Sequence, residues 1–200
     1  MKSEIRKAIQ EDAEVVARLL LLAMEDIVFE FLGTRDKQAA IDFMLHLVRT
    51  ENSQYSCRNV YVACHEGRIM GAVNAYDGAL LEELRKPVVQ YVYSLTRKPF
   101  EPENETDPGE FYIDSIGVDP EWQGRGVGGK LLRYLISEYG EKQGLTLGLL
   151  VEKANPAARR LYEKAGFRKT GEKMLVGKAM DHLQWRQVKN DNEARNPDPA

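Results

Sequence analysis

Between a strand-like run ending at Val118 and a helix-like run beginning at Val127 lies DPEWQGRGVGGKLL, residues 119–132, with four glycines and two basic residues. A chain built this way must leave a sheet, turn through glycine and start a helix within a few residues. Glycine there leaves backbone N–H groups bare, and bare N–H groups at a helix start bind phosphate. The first expectation is therefore a phosphate-bearing ligand, and the rest of the sequence must say which.

The remaining chain reads as alternating α and β elements. Residues 4–9 alternate as a short strand, and apolar residues recur at helical spacing from Glu11 to Leu32, before Gly33. A second helix is predicted over Asp36–Val48, with Ile41, Met44, Leu45 and Val48 on its buried face. Asn59–His65 and Arg68–Ala75 form a hairpin around Glu66-Gly67. Cys57 and Cys64 belong to the first of these strand patterns, on opposite faces. Residues 76–109 break the plan: a helix from Leu80 halted by Pro87, an amphipathic stretch from Val88 to Leu95, then the Pro-rich acidic loop KPFEPENETDPGE. This stretch is expected to be an insertion covering one side of the domain, its Glu101, Glu103, Glu105, Asp107 and Glu110 a solvated charge run that could attract a cation.

Regularity returns with a strand at Phe111–Val118, the glycine loop, and a helix from Val127 to Gly140 carrying Leu131, Leu132, Leu135, Ile136 and Tyr139 inward. Leu145–Val151 is an unbroken apolar run, as in a strand covered on both faces. Asn155-Pro156 opens a helix with a good cap and a good first residue, ending at Gly166. Strands at about 168–176 and 178–186 precede a polar tail, and the expected organisation is one domain over 1–187 with 188–200 disordered.

Composition narrows the partners. A net charge of −3 over 200 residues argues against nucleic acid, which needs a basic surface. The longest apolar run is too short for a bilayer, and MKSEIRKAIQEDAE lacks the apolar core of a signal peptide. Two cysteines without metal-ligand spacing suggest a reducing, cytoplasmic setting and no metal.

Three phosphate loops can be read into the glycines. Gly124–Lys130 fits G-x-x-x-x-G-K, but Leu131 stands where a hydroxyl should hold magnesium. Gly124, Gly126 and Gly129 fit a dinucleotide fingerprint with Glu152 as ribose acid, yet Pro120 separates strand from glycine and too little chain follows. The third reading covers more. From Phe111 to Phe167 the sequence resembles the GNAT superfamily of acetyl-CoA-dependent N-acetyltransferases, through Gln123-Gly124-Arg125-Gly126-Val127-Gly128 and through NPAARRLYEKAGF at 155–167.

That resemblance implies an α/β fold with a mixed, mostly antiparallel sheet splayed between strands 4 and 5 and helices on both faces. It implies acetyl-CoA as cosubstrate and an amine acceptor, with direct attack in a ternary complex. The coenzyme would be held by Gln123, Gly124, Arg125, Gly126, Val127, Gly128 and Gly129, by the backbone of Ile116, Gly117 and Val118, and by Asn155. Gly117 would make a bulge that splays the strands, and the Val118 amide would serve as oxyanion donor. Tyr162 would protonate the departing thiolate. Asp114 would accept the amine proton, sharing a face with Glu110, Tyr112 and Ile116 by the period-two rule unless the bulge shifts the parity; Glu152 and His182 are weaker bases. A homodimer stays open, as does a non-catalytic acyl-CoA-binding domain.

Overall fold

The computed structural model describes residues 4–187; the tail expected to be disordered at 188–200 lies outside the described residues. The order is β1 (Glu4–Lys7), α1 (Ala13–Leu32), α2 (Lys37–Arg49), β2 (Val60–His65), β3 (Arg68–Asp77), α3 (Leu81–Thr96), β4 (Glu110–Val118), α4 (Val127–Leu135), β5 (Thr146–Glu152), α5 (Pro156–Lys164), β6 (Arg168–Leu175) and β7 (Lys178–Trp185). Seven strands form one sheet in the order β1-β2-β3-β4-β5-β7-β6. Every neighbouring pair is antiparallel except β4 with β5.

Helices cover both faces. On one, α1, α2 and α3 pack over Val60, Val62 and Ala72. On the other, Leu131, Leu132 and Leu135 of α4 are fully buried against Val73, Ile113 and Leu149, with α5 alongside. Each such leucine contributes roughly 1.5–3 kcal/mol by leaving water. The β2–β3 turn has positive φ at both Glu66 (49°) and Gly67 (78°), the geometry that matches the twist of a two-residue hairpin. No helix among the described residues is long and apolar enough to cross a membrane.

Several sequence expectations are corrected. Pro87 does not halt a helix: α3 runs unbroken through it to Thr96. Proline removes the bond to the carbonyl four residues back; that residue, Glu83, is exposed to water. The buried face of α2 is Ala40, Phe43, Met44, Leu47 and Val48, with Ile41 and Leu45 at its margin. Cys57 lies in a 3-10 turn ahead of β2 and not in the strand; both thiols are free and buried. The helix expected to reach Gly140 ends its α form at Leu135, and Ile136–Glu141 continues as a π turn. The acidic loop is not simply solvated: Glu105, Thr106 and Glu110 are buried, Glu103 accepts from the Val176 amide at 3.1 Å, and Asp107 pairs with Lys173 at 2.6 Å.

Candidate active site

β4 and β5 pair only from Glu110↔Thr146 to Ile113↔Leu149. Beyond that point β4 follows β3 and β5 follows β7, so the two strands part and leave facing backbone edges. The divergence begins at a bulge. Asn74 faces Ser115 and Ala75 faces Ile113, so Asp114 is the extra residue on β4.

The bulge is therefore at Asp114 and not at Gly117. Gly117 has a different requirement: a Cβ there would lie 1.8 Å from the Leu19 carbonyl oxygen of α1. The extra residue also shifts the parity. Phe111 and Ile113 face α4, and after the bulge so do Ile116 and Val118. Ile116 thus does not share the face of Asp114, as a strict period of two would have it.

The Asp119 amide bonds Met70 of β3 at 2.9 Å. Along an extended strand the amides alternate sides, so the amides of Val118 and Ile116 point away from β3, into the gap left by β5. At the same end the Val118 carbonyl accepts from Gln123 Nε2 at 3.1 Å. Gly126 caps α4 with φ of 80°, a conformation that a side chain disfavours. No side chain caps the helix, and its first amide with a backbone acceptor is Lys130, bonded to Gly126 at 3.0 Å. The amides of Val127, Gly128 and Gly129 thus face outward at the positive end of the helix dipole. Gly128 lets Leu161 of α5 approach to 3.4 Å of where a Cβ would stand. Arg125 lies over the Trp122 ring at 5.1 Å.

A cavity of about 500 Å³ opens from this gap. Its walls include Asp114, Ser115 and Ile116 of β4, Val151 and Glu152 of β5, and Asn155 and Tyr162. The opposite wall is α1 where Met24 leaves helical geometry (φ −138°, ψ 23°), a break that the sequence pattern did not suggest. Asn155 Oδ1 accepts from the Ala158 amide at 3.0 Å, so it caps α5 as expected while also lining the cavity. Tyr162 is half-buried, edge-on to Phe167, and burial pushes its phenol up to about 12. Glu152 lines the cavity but is paired with Lys178 at 2.8 Å. His182 lies 2.8 Å from Glu110 and is not among the residues that line the cavity.

Asp114 belongs to a buried polar cluster. Gln54 Nε2 donates to its Oδ2 at 2.8 Å and the Tyr76 hydroxyl approaches it at 3.2 Å. The same two groups reach Glu105 Oε1, which also accepts from Arg85 Nη2 at 3.2 Å. Burial raises Asp114 above the usual carboxylate range, and the bonds from Gln54 and Tyr76 offset only part of that. Burial and then the Asp114 charge push Glu105 up to about 7 against the pull of Arg85 and Gln54. Sequence reasoning named Glu105 only within a solvated charge run that could attract a cation, and it missed Gln54 and Arg85 as site residues.

Comparison with known proteins gives a consistent result. The Acetyltransferase (GNAT) family profile matches residues 21–167. The N-alpha-acetyltransferase RimI of Mycobacterium tuberculosis is 42% identical over 66 residues, 33% of this chain and 40% of that protein. The [Ribosomal protein bS18]-alanine N-acetyltransferase of Salmonella typhimurium is 46% identical over 58 residues, 29% of this chain and 39% of that one. The chain thus matches about 40% of the length of these curated relatives. A crystal structure described as an acetyltransferase superposes with a TM-score of 0.75 at 30% identity, covering 92% of this chain and 98% of the other. An aminoglycoside acetyltransferase solved with coenzyme A shares the fold at a TM-score of 0.59 and 21% identity, covering 93% and 95%.

Proposed function

The chain belongs to the GNAT acetyltransferase family, and from that premise we propose that it transfers an acetyl group from acetyl-CoA to a primary amine by direct attack in a ternary complex. The observation that carries the reading is the gap between β4 and β5. It offers an unpaired strand edge with the inward Val118 amide and, beyond it, the uncapped α4 amides, next to a cavity lined by Asp114, Ile116, Asn155 and Tyr162.

In this reading the outward amides of Val127, Gly128 and Gly129, with the α4 dipole, hold the coenzyme pyrophosphate, while the Arg125 amide is already bonded to the Trp122 carbonyl at 3.4 Å. Gln123 braces the Val118 carbonyl, and Arg125 adds charge beside the loop. The pantetheine arm runs along Ile116, Gly117 and Val118 as an added strand, with Asn155 across the gap. Acetyl-CoA supplies the activated carbonyl; the Val118 N–H donates to the oxygen as negative charge grows on it. Asp114, its basicity raised by burial, takes a proton from the acceptor. Tyr162 stays protonated at neutral pH and meets the departing thiolate as a donor.

Acceptor identity is the finer question. One curated relative is named an N-alpha-acetyltransferase and another for an alanine of ribosomal protein bS18, and a structural neighbour is named for aminoglycosides. Calorimetry with acetyl-CoA, CoA, NADH and ATP, then thiol release with an alanine peptide, an aminoglycoside and a polyamine, tests the reading. Heat of binding with CoA and turnover with one amine class are expected. Binding of NADH in place of CoA would restore the dinucleotide alternative, and CoA binding without turnover would leave a non-catalytic acyl-CoA-binding domain.

A further inference from the structure

Asp114 of β4 and Glu105 of the loop before it compete for the same neutral donors. Gln54 Nε2 lies 2.6 Å from Glu105 Oε1 and 2.8 Å from Asp114 Oδ2, and its two hydrogens can serve one each. The Tyr76 hydroxyl lies 3.2 Å from both of these oxygens but has one hydrogen. Towards one carboxyl it must turn a lone pair, which is favourable only if that carboxyl carries a proton. The charges agree. Arg85, 3.2 Å from Glu105, is the cation in direct contact with the pair, so two ionised carboxyls leave one unbalanced buried charge. One added proton makes the cluster neutral. The phenols of Tyr55, Tyr76 and Tyr112 also face the pair, and burial together with these carboxyls keeps all three un-ionised.

We infer that Glu105 and Asp114 work as one unit holding a single shared proton, which an acceptor amine displaces by entering as its ammonium ion. This rests on the acetyl-transfer reading. With the ammonium bound, two positive groups face two carboxylates and the site is again neutral. One ammonium proton passes to Asp114 as the nitrogen bonds to the thioester carbonyl carbon. The C–S bond then breaks, the thiolate takes the Tyr162 proton, and the second proton lost by nitrogen replaces it. The products are the N-acetyl amine and free CoA thiol; the proton left on the pair restores its resting state, and the one displaced on binding is the net proton released. Glu105 is a positioning residue: it acts through Asp114 and explains why a buried loop acid is held against a strand acid.

The test begins without substrate, by carboxyl-13C titration of the full chain as wild type, Glu105→Gln and Tyr76→Phe. Removing the neighbouring charge in Glu105→Gln should move the Asp114 transition down by about one pH unit or more. Tyr76→Phe, which leaves both acids and removes a donor, should move it up. The acid limb of kcat/KM for an aliphatic amine should follow in each variant, so Glu105→Gln gains about tenfold in relative activity below the wild-type limb. Glu105→Asp should return the limb towards its original position, and KM for acetyl-CoA should not change. An Asp114 transition that stays in place, or a limb that ignores it, overturns the pair. A transition that shifts in a protein that acetylates no amine overturns the acetyl-transfer reading instead.

Discussion

Gly117→Ala should be among the most damaging small substitutions in the chain, for a reason unconnected with backbone conformation. The added Cβ would meet the Leu19 carbonyl oxygen at 1.8 Å, whereas ordinary contact begins near 3.4 Å, so one partner must retreat by about 1.6 Å. Neither can do so cheaply. Leu19 is main chain in the middle of α1, with Val16, Ala17, Leu20 and Leu21 buried around it, and Gly117 is paired to Ala72 within the sheet. Overpacking costs ~1–3 kcal/mol, and a rigid backbone partner places this case at the upper end. At ~2–4 °C per kcal/mol for a chain of this size, Tm should fall by roughly 6–12 °C. Gly128→Ala is the control: its Cβ meets only side-chain ends, Leu161 at 3.4 Å, Val118 at 3.7 Å and Ile116 at 4.0 Å. Alanine is preferred over glycine inside a helix by ~1 kcal/mol, so that variant should be as stable as wild type or more so. Urea unfolding of both proteins decides it. If Gly117→Ala unfolds within ~0.5 kcal/mol of wild type, α1 does not press on β4 as described and the glycine serves another purpose.

Tyr162→Phe should lower kcat by ~10²-fold or more at saturating acetyl-CoA, leave CoA affinity unchanged by calorimetry, and alter stability by less than ~1 kcal/mol; an unchanged rate returns the residue to a packing role. Asn155→Ala should cost ~1 kcal/mol through loss of the α5 cap, and Asn155→Ser should recover most of it; if CoA affinity falls equally in both, the amide also contacts the coenzyme. Burial raises Glu110, but bonds from His182, Gln184 and Thr106 outweigh it and its carboxyl sits below the ordinary value. A depressed acid stabilises the fold fully above its unfolded pKa and ceases to do so as pH falls through the folded value. Glu110→Gln should therefore be less stable at pH 7, with a shallower loss of urea stability on acidification; an unchanged pH slope would remove Glu110 from acid unfolding.

The features that sequence alone determined are those in which a few adjacent residues settle the backbone. Glu66-Gly67 forms its hairpin turn, Asn155 caps α5, and Gly126 opens α4, each because the decisive energy is local. The glycine loop and the 155–167 segment pointed to the same family that the profile match established, and the splayed sheet followed from it.

Tertiary structure decided whatever depends on partners distant in sequence. Period-two reasoning places Ile116 beside Asp114, but the bulge that separates them is set by pairing with Asn74 and Ala75, forty residues earlier. Pro87 looks like a stop signal, yet the packing of Leu84, Val88 and Val92 holds α3 together across it, and the Leu84 carbonyl accepts the Gln54 amide at 2.8 Å. Glu105 sits in a run of acids that composition assigns to solvent. Only Arg85, Gln54 and Tyr76, brought in from three other elements, offset the cost of burying it. A sequence pattern records what each residue prefers by itself, whereas a buried charge depends on neighbours that only the folded chain supplies.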